Sequence, residues 1–344
     1  MSYLKNNEIE EFIEFNRTIY PMRKGLEESI LFKLHNPYIE RTDDFFYPII
    51  VTKDKNERFI GQFQRIPCKY YINGEVFDAF WGMDYIVDEA SRGSSAGVYL
   101  AKQALKDYHF GMGLSPISFK LHLILGEKHI GNYYKYIQFK SLLGLLKFAI
   151  SIITKHPIST QSSSYYPDIV NIGDVSFQKK SDPSDINWEA DNNSYIEFSR
   201  DKEFLSWRFG TYPKIFTAYT YENESGTKAY FIIRNVIWKG FPFLLLVDYR
   251  YRENALQPML KAVRKILKKT HNYGIITLSS FSDIDKALKH NGYLKFGSSG
   301  QIVTNVVINI PNQRIEQRKS IFVTLADSDA DFFYGNNEWY EYEL

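Results

Sequence analysis

Residues 92–97, "RGSSAG", are the one stretch of this sequence whose residue types and spacing suit a defined piece of chemistry. They follow the apolar-aromatic run "EVFDAFWGMDYIV" and precede "VYLAKQALKDY", which has a helical pattern. The first amides of a helix have no partner inside it, and the aligned peptide dipoles make that end positive. A turn of small residues lets those amides come close to a pyrophosphate. Arg92 adds a charge at the mouth. A phosphate loop usually carries glycine where Ser95 stands, and the lysine of a triphosphate loop is missing. On spacing alone, an anion cradle and an ordinary helix start both remain open.

Other chemistries lack their residues. There is no G-x-x-x-x-G-K-[ST] stretch, and "GMGLSP" has Pro116 where a dinucleotide fingerprint needs its third glycine. No H-E-x-x-H pair and no G-x-S-x-G elbow occur. The 7 histidines are scattered, and the single cysteine, Cys68, can form neither an internal disulfide nor a cysteine metal site. No metal is expected on this basis. Lys+Arg 42 against Asp+Glu 40 leaves a formal charge of +2, too even for the field of a nucleic-acid binder. The start "MSYLKNNEIEEF" lacks the basic and apolar parts of a secretory signal, so a cytoplasmic location is the expectation.

The elements that must position the loop read as a mixed α/β pattern. A chain of 344 residues predicts two domains. Helices are expected over residues 8–20 and 25–35, then strands in "FYPIIVTKD", "RFIGQFQRIPCKYYI" and "EVFDAFWGMDYIV". After the loop and its helix come a strand "HFGMGL", a helix "SPISFKLHLILG" and a strand "HIGNYYKYIQF". Residues 141–156, "SLLGLLKFAISIITKH", are too short to span a bilayer. They read as a buried inter-domain helix, with a helix lying on a membrane surface as the other possibility. The Ser/Pro/Asp-rich stretch that follows reads as a linker.

The second half repeats this grammar. "SYIEFSRDKEFLSWRFGTYP" looks helical up to Pro213, and "KIFTAYTYE", "KAYFIIRNVIWKG" and "FPFLLLVDYR" look like strands. "NALQPMLKAVRKILKKTH" is a helix with basic residues at its end, and "GIITLSS" a strand. "SDIDKALKHNG" is a helix capped by Ser282 or Asp283, before strands "YLKFG" and "QIVTNVVINI". "LGEKHIG" and "NGYLKFG" form a faint repeat whose first glycines, 126 and 292, lie half a chain apart, as duplication of one unit would give. The expected units are 1–140, a helix and linker over 141–185, a second domain over 186–325, and an acidic-aromatic tail over 326–344.

"WGMDYIVDEASRGSSAGVYLAKQAL" resembles the cofactor motif of the GNAT superfamily of acyl-CoA N-acyltransferases: a strand, then [RQ]-x-x-G-x-[GA], then a helix. Arg92 matches the first position and Gly97 the last, while Ser95 departs at the central glycine. "SPISFKLHLILGEKHIG" resembles the family's next motif in register. There Ser115 stands for its Asn, Ser118 for its Ala, His122 for its Tyr and Glu127 for its Phe, and Gly126 is kept. "DYRYRENALQPMLKAV" takes the same place in the second half without a glycine. The chain thus resembles a tandem GNAT protein: two GNAT-like domains, each a mostly antiparallel central sheet flanked by helices, with one cofactor site.

The resemblance implies direct acyl transfer from acetyl-CoA or another acyl-CoA to a small amine acceptor, such as an amino sugar or amino acid. It implies that Tyr85, Ile86 and Val87 line the pantetheine, and that Arg92, Gly93, Ser94, Ser95, Ala96, Gly97 and Ser115 hold the cofactor. His122 takes the place of the acid that protonates the thiolate, and Asp84, with Asp78 behind it, that of the base. A Fem-type aminoacyl or peptidyl transferase and a non-catalytic binding protein on the same scaffold are the competing readings.

Overall fold

The computed structural model describes residues 1–21, 23, 25–39, 42, 44–72, 74–154, 165–190, 195–210, 215–296, 303–309 and 321–327. In the N-terminal half, β1 (Ser2–Lys5), β2 (Phe45–Lys53), β3 (Phe59–Ile72) and β4 (Glu75–Val87) form an antiparallel meander, with α1 (Ile9–Ile19) and α2 (Leu26–Leu34) between β1 and β2. Then follow α3 (Ala96–Ala104), β5 (His109–Met112), α4 (Pro116–Ile124) and β6 (Lys128–Phe139). Pro21 stands just past the end of α1, where a proline cannot continue the helix. Phe12 and Ile13 of α1 and Leu26, Ile30 and Leu34 of α2 share a core with Ile49 and Val51 of β2.

The C-terminal half repeats the order. β10 (Thr217–Asn223), β11 (Gly226–Trp238) and β12 (Phe241–Tyr251) are antiparallel, followed by α7 (Leu256–Lys269), β13 (Gly274–Ser279), α8 (Ser282–His290), β14 (Leu294–Phe296) and β15 (Val303–Asn309). In each half the last meander strand pairs in parallel with the next strand, β4 with β5 and β12 with β13. This crossover through a helix is the strand–helix–strand unit.

The halves exchange strands. β15 leaves its own half to pair with β5 and with the first part of β6. The second part of β6 enters the other half, between β13 and β14. The order therefore runs unbroken, β1-β2-β3-β4-β5-β15-β6-β13-β12-β11-β10-β8-β7, where β7 is Ile169–Ile172 and β8 Val175–Lys180. One continuous core runs through both halves, from Trp81 and Phe110 to Phe243 and Leu278.

Several expectations need correction. β1 was not foreseen, because four residues carry too little pattern to register as a strand. The expected linker contains the β7–β8 hairpin, turned at Gly173 with φ +58. Residues 155–164 of that linker, most of the 326–344 tail and Pro213 lie outside the described residues. The stretch expected to be helical up to Pro213 opens with β9 (Ile196–Phe198), which pairs with β3 and with β16 (Ile321–Phe322). Among the described residues of that stretch, only α6 (Lys202–Leu205) and one wide turn over 206–210 are helical. α8 takes no side-chain cap from Ser282 or Asp283; the residue before its first turn is Phe281. Finally α5 (Leu142–Thr154), expected to be buried between domains, packs through one face only.

Candidate functional site

β4 and β5 pair only at Phe80–Gly82 with His109–Gly111. Beyond Gly82, β4 runs on through Val87 with no strand on that edge among the described residues, so the sheet opens into a wedge. A bulge sharpens it. Gln64 faces Met83 and Gln62 faces Ile86, so Asp84 and Tyr85 together stand opposite Phe63. Asp84 adopts φ +41, a left-handed conformation that aspartate tolerates better than most residues.

The bulge turns Asp84 toward the two N-terminal helices. Its carboxylate accepts from Lys33 Nζ at 3.0 Å, from Arg23 Nη1 at 3.3 Å and from Tyr20 Oη at 3.2 Å. Lys33 is itself held by Gln64 Oε1 at 3.1 Å, and Gln64 by the buried Asn16 of α1. Burial would raise the pKa of Asp84, but the Lys33 and Arg23 cations prevail and hold it at about 2. A carboxylate this strongly held is a poor proton acceptor at neutral pH. Its neighbour Tyr20 and the stacked Arg23 border an open cleft of about 460 Å³ at the α1–α2 turn. Asp78 lies exposed toward the start of β4, opposite Lys69.

The 92–97 loop follows directly. Gly93 has φ +92, which side chains avoid. Ser95 has φ −75 and ψ −2, an ordinary right-handed conformation, so serine there carries no backbone penalty. The Ala96 amide donates to Ser94 Oγ at 3.2 Å and that of Ser94 to the Ser91 carbonyl. Among the described residues the amides of Gly93, Ser95, Gly97 and Val98 find no acceptor within the chain. The loop is exposed, and Arg92 lies at its outer edge with Nε 3.4 Å from the Val87 carbonyl. Gly97 lets α3 approach β4: a Cβ there would stand 3.0 Å from Tyr85 Oη. Tyr85 instead donates to the Gly97 carbonyl at 2.6 Å, and burial pushes its hydroxyl up to about 12. Tyr85, Ile86 and Val87 thus border the wedge and the loop together. Ser115 caps α4, its Oγ accepting from the Ser118 amide at 3.2 Å, with Pro116 in the first turn.

Below the wedge the structure brings His109 to His122 and Glu127, which share one stretch of the sequence. α4 ends in a left-handed turn at Gly126, φ +102. The Gly126 amide bonds back to the Leu123 carbonyl, and that of Glu127 to His122. This paired cap folds residue 127 over residue 122. Glu127 Oε1 lies 2.5 Å from His122 Nδ1 and 2.6 Å from His109 Nε2 of β5, the latter off the line of a good hydrogen bond. All three side chains are buried beside Phe63. Burial opposes ionisation of Glu127, but its contacts with His109 and His122 hold it at about 2. Among the described residues His122 Nε2 and Glu127 Oε2 have no hydrogen-bond partner. Two histidines and a carboxylate can ligate a metal, yet tetrahedral ligands about 2.0–2.1 Å from zinc stand roughly 3.3 Å apart. Glu127 Oε1 stands closer than that to both ring nitrogens, and its contact with His122 Nδ1 is a hydrogen bond. His122 and Glu127 carried a local signal, a glycine four residues after the histidine and a glutamate five after it; His109 carried none.

No family model matches this chain, and no curated protein does. Solved structures do. A GCN5-related N-acetyltransferase from Anabaena variabilis superposes with TM-score 0.57 at 11% identity, over 89% of this chain and 71% of that one. A conserved protein of unknown function from Enterococcus faecalis, described as a probable N-acyltransferase, gives 0.57 at 10%, over 89% and 71%. Saccharomyces cerevisiae N-myristoyltransferase, solved with bound myristoyl-CoA and inhibitors, gives 0.51 at 11%, over 86% and 75%. With the parallel β4–β5 pair, the wedge beyond it and the glycine loop at the start of α3, these likenesses establish that the chain has the fold of the GNAT N-acyltransferases.

Proposed function

We propose that the chain is an acyl-CoA-dependent N-acyltransferase acting on a small amine, built as two GNAT-like units, about 1–140 and 186–325, of which the first holds the cofactor. The carrying observation is the row of unpartnered amides at Gly93, Ser95, Gly97 and Val98, beside Arg92 and at the mouth of the wedge. A helix N-terminus of nine residues there suits a pyrophosphate. The free edge of Tyr85, Ile86 and Val87 would take the pantetheine as an added strand. The acceptor would enter from the Tyr20–Arg23 cleft, where the Lys33, Arg23 and Asp84 group fixes the bulge. Acetyl-CoA is the simplest donor.

Transfer forms a nitrogen–carbon bond and breaks the thioester carbon–sulfur bond, so one proton must leave the amine and one must reach the thiolate. His122 suits the second task. Glu127 holds its Nδ1 side, which leaves Nε2 for the thiolate. Asp84 is too strongly held to take the amine proton, and bulk water at the open cleft serves that step. The competing reading, a protein that binds the cofactor without turnover, draws on the Ser94 hydroxyl that already fills one loop amide.

Thermal denaturation with millimolar acetyl-CoA, followed by a thiol-release assay over a panel of amines, tests both. A rise in Tm with CoA release supports the enzyme, a rise without release the binding protein, and no rise sinks the cofactor assignment.

A further inference from the structure

α5 is apolar on two opposite faces. Through one it joins the body: Phe148 packs its ring against Trp238, Phe241, Phe243 and Phe139 at centroid distances of 5.3 to 5.5 Å. The other faces outward. Leu142 is 72% exposed, Leu143 62%, Leu146 51%, Ile150 59% and Ile153 80%. At about 100° per residue these five fall within roughly 100° of arc. A cluster of aliphatic side chains on one exposed helix face is more than the scattered apolar residues ordinary on a soluble surface.

Charge says what covers it. The one charged residue within α5 is Lys147, and between Glu127 and Asp168 the sequence has no acidic residue. Lys147 is exposed and borders the aliphatic stripe, where a long cationic stem reaches past buried apolar groups to an anionic layer. A second copy is a worse fit. A two-fold contact through this face would set Lys147 against Lys147, with no acid on the helix to offset them. At 13 residues the helix is about 20 Å long, short of the ~30 Å a spanning helix needs, so it can only lie in the interface.

We infer that α5 docks the protein on an anionic phospholipid bilayer, with Leu142, Leu143, Leu146, Ile150 and Ile153 entering the acyl boundary and Lys147 at the headgroups. The inference is independent of the proposed acyl transfer.

Co-sedimentation of the full chain with large vesicles of pure phosphatidylcholine, and of phosphatidylcholine with a quarter phosphatidylglycerol, tests it. The wild type is expected to bind the anionic vesicles more tightly. Leu146→Asp combined with Ile150→Asp should weaken that binding by tenfold or more with Tm unchanged, since both side chains point to solvent. Lys147→Glu should cost about fivefold or more on anionic vesicles and little on neutral ones. Absence of vesicle binding overturns the inference. So does a wild-type dimer in light scattering that the double aspartate variant splits, which would assign the face to a second copy.

Discussion

The two halves carry the same dipeptide just past a short parallel pairing and use it differently. Asp84-Tyr85 forms the β4 bulge, whereas Asp248-Tyr249 directly follows the β12 bulge, which falls at Val247. Both aspartates are buried and held at about 2 by cations, Asp84 by Lys33 and Arg23, Asp248 by Arg200 and Arg250. The tyrosines diverge. Tyr249 is buried and donates across the gap to the Leu278 carbonyl of β13 at 2.8 Å, closing the second wedge. Tyr85 turns away to Gly97 of α3 and leaves the first wedge without that strut. The helix caps diverge in the same sense. α4 and α8 both end in a paired cap at a left-handed glycine. The side chains it brings together are His122 and Glu127 in the first half, and the buried Leu288 and Tyr293 in the second. The first half has polar side chains at its cap and open loop amides; the second has apolar core at its cap.

The largest test of this contrast lies in the sealed half. Asp248 accepts from Arg200 at 2.8 and 3.0 Å, from Arg250 at 3.2 Å, from Tyr230 at 2.8 Å and from Thr324 at 2.7 Å, all without solvent. Asp248→Ala leaves two buried guanidinium groups short of their counter-charge. It is expected to cost about 3–5 kcal/mol of stability in urea unfolding. Asp84→Asn should cost clearly less, because Arg23 reaches the site from the cleft rim, the buried Lys33 keeps its bond to Gln64, and asparagine tolerates the left-handed backbone. Equal losses would mean that the first half is as closed as the second.

Next comes pH. Glu127 has its folded-state pKa lowered from 4.5 to about 2, so its contribution to stability is full above the unfolded value and is lost as pH falls from about 5 toward 2. Glu127→Gln should flatten that part of the stability–pH curve, by on the order of 1–3 kcal/mol between its ends. No variant at Leu288 or Tyr293 should alter its slope. If Glu127→Gln leaves the acid limb unchanged, the carboxylate is not paired with its histidines.

A smaller effect is expected at Gly97→Val. Its Cβ would meet Tyr85 Oη at 3.0 Å and press α3 away from β4. The acetyl-CoA affinity should fall about tenfold, roughly 1.4 kcal/mol, as read by calorimetry. An unchanged affinity would place the cofactor elsewhere.

Local pattern made most elements of both halves legible: α1, α7 and α8 from their helical spacing, and the meander strands from their alternation between turn residues. What stayed hidden depends on long-range pairing. Nothing in "QIVTNVVINI" tells that it pairs with β5 rather than with its own neighbours, since a strand's partner is set by the whole sheet. His109 meets Glu127 only because β5 and the α4–β6 turn converge. The α5 sequence is apolar enough to hide which face is covered. The glycine loop was visible because its chemistry lies in one continuous stretch.

The finest distinction concerns Ser95. Its backbone is already helical, its side chain makes no cap bond, and it is exposed. Ser95→Gly therefore gains no conformation the loop needs and loses at most a few tenths of a kcal/mol. The acetyl-CoA-induced shift in Tm should be unchanged. Gly93→Ala is the informative partner. No atom stands within 4 Å of the added Cβ, so any loss, expected at about 1 kcal/mol, reports the φ of +92 alone. The glycine requirement of this loop thus falls at residue 93. If Ser95→Gly instead tightened cofactor binding while Gly93→Ala left it unchanged, residue 95 would have to leave its helical conformation on binding, and the open amides at Gly93, Gly97 and Val98 would not be the ones that meet the phosphate.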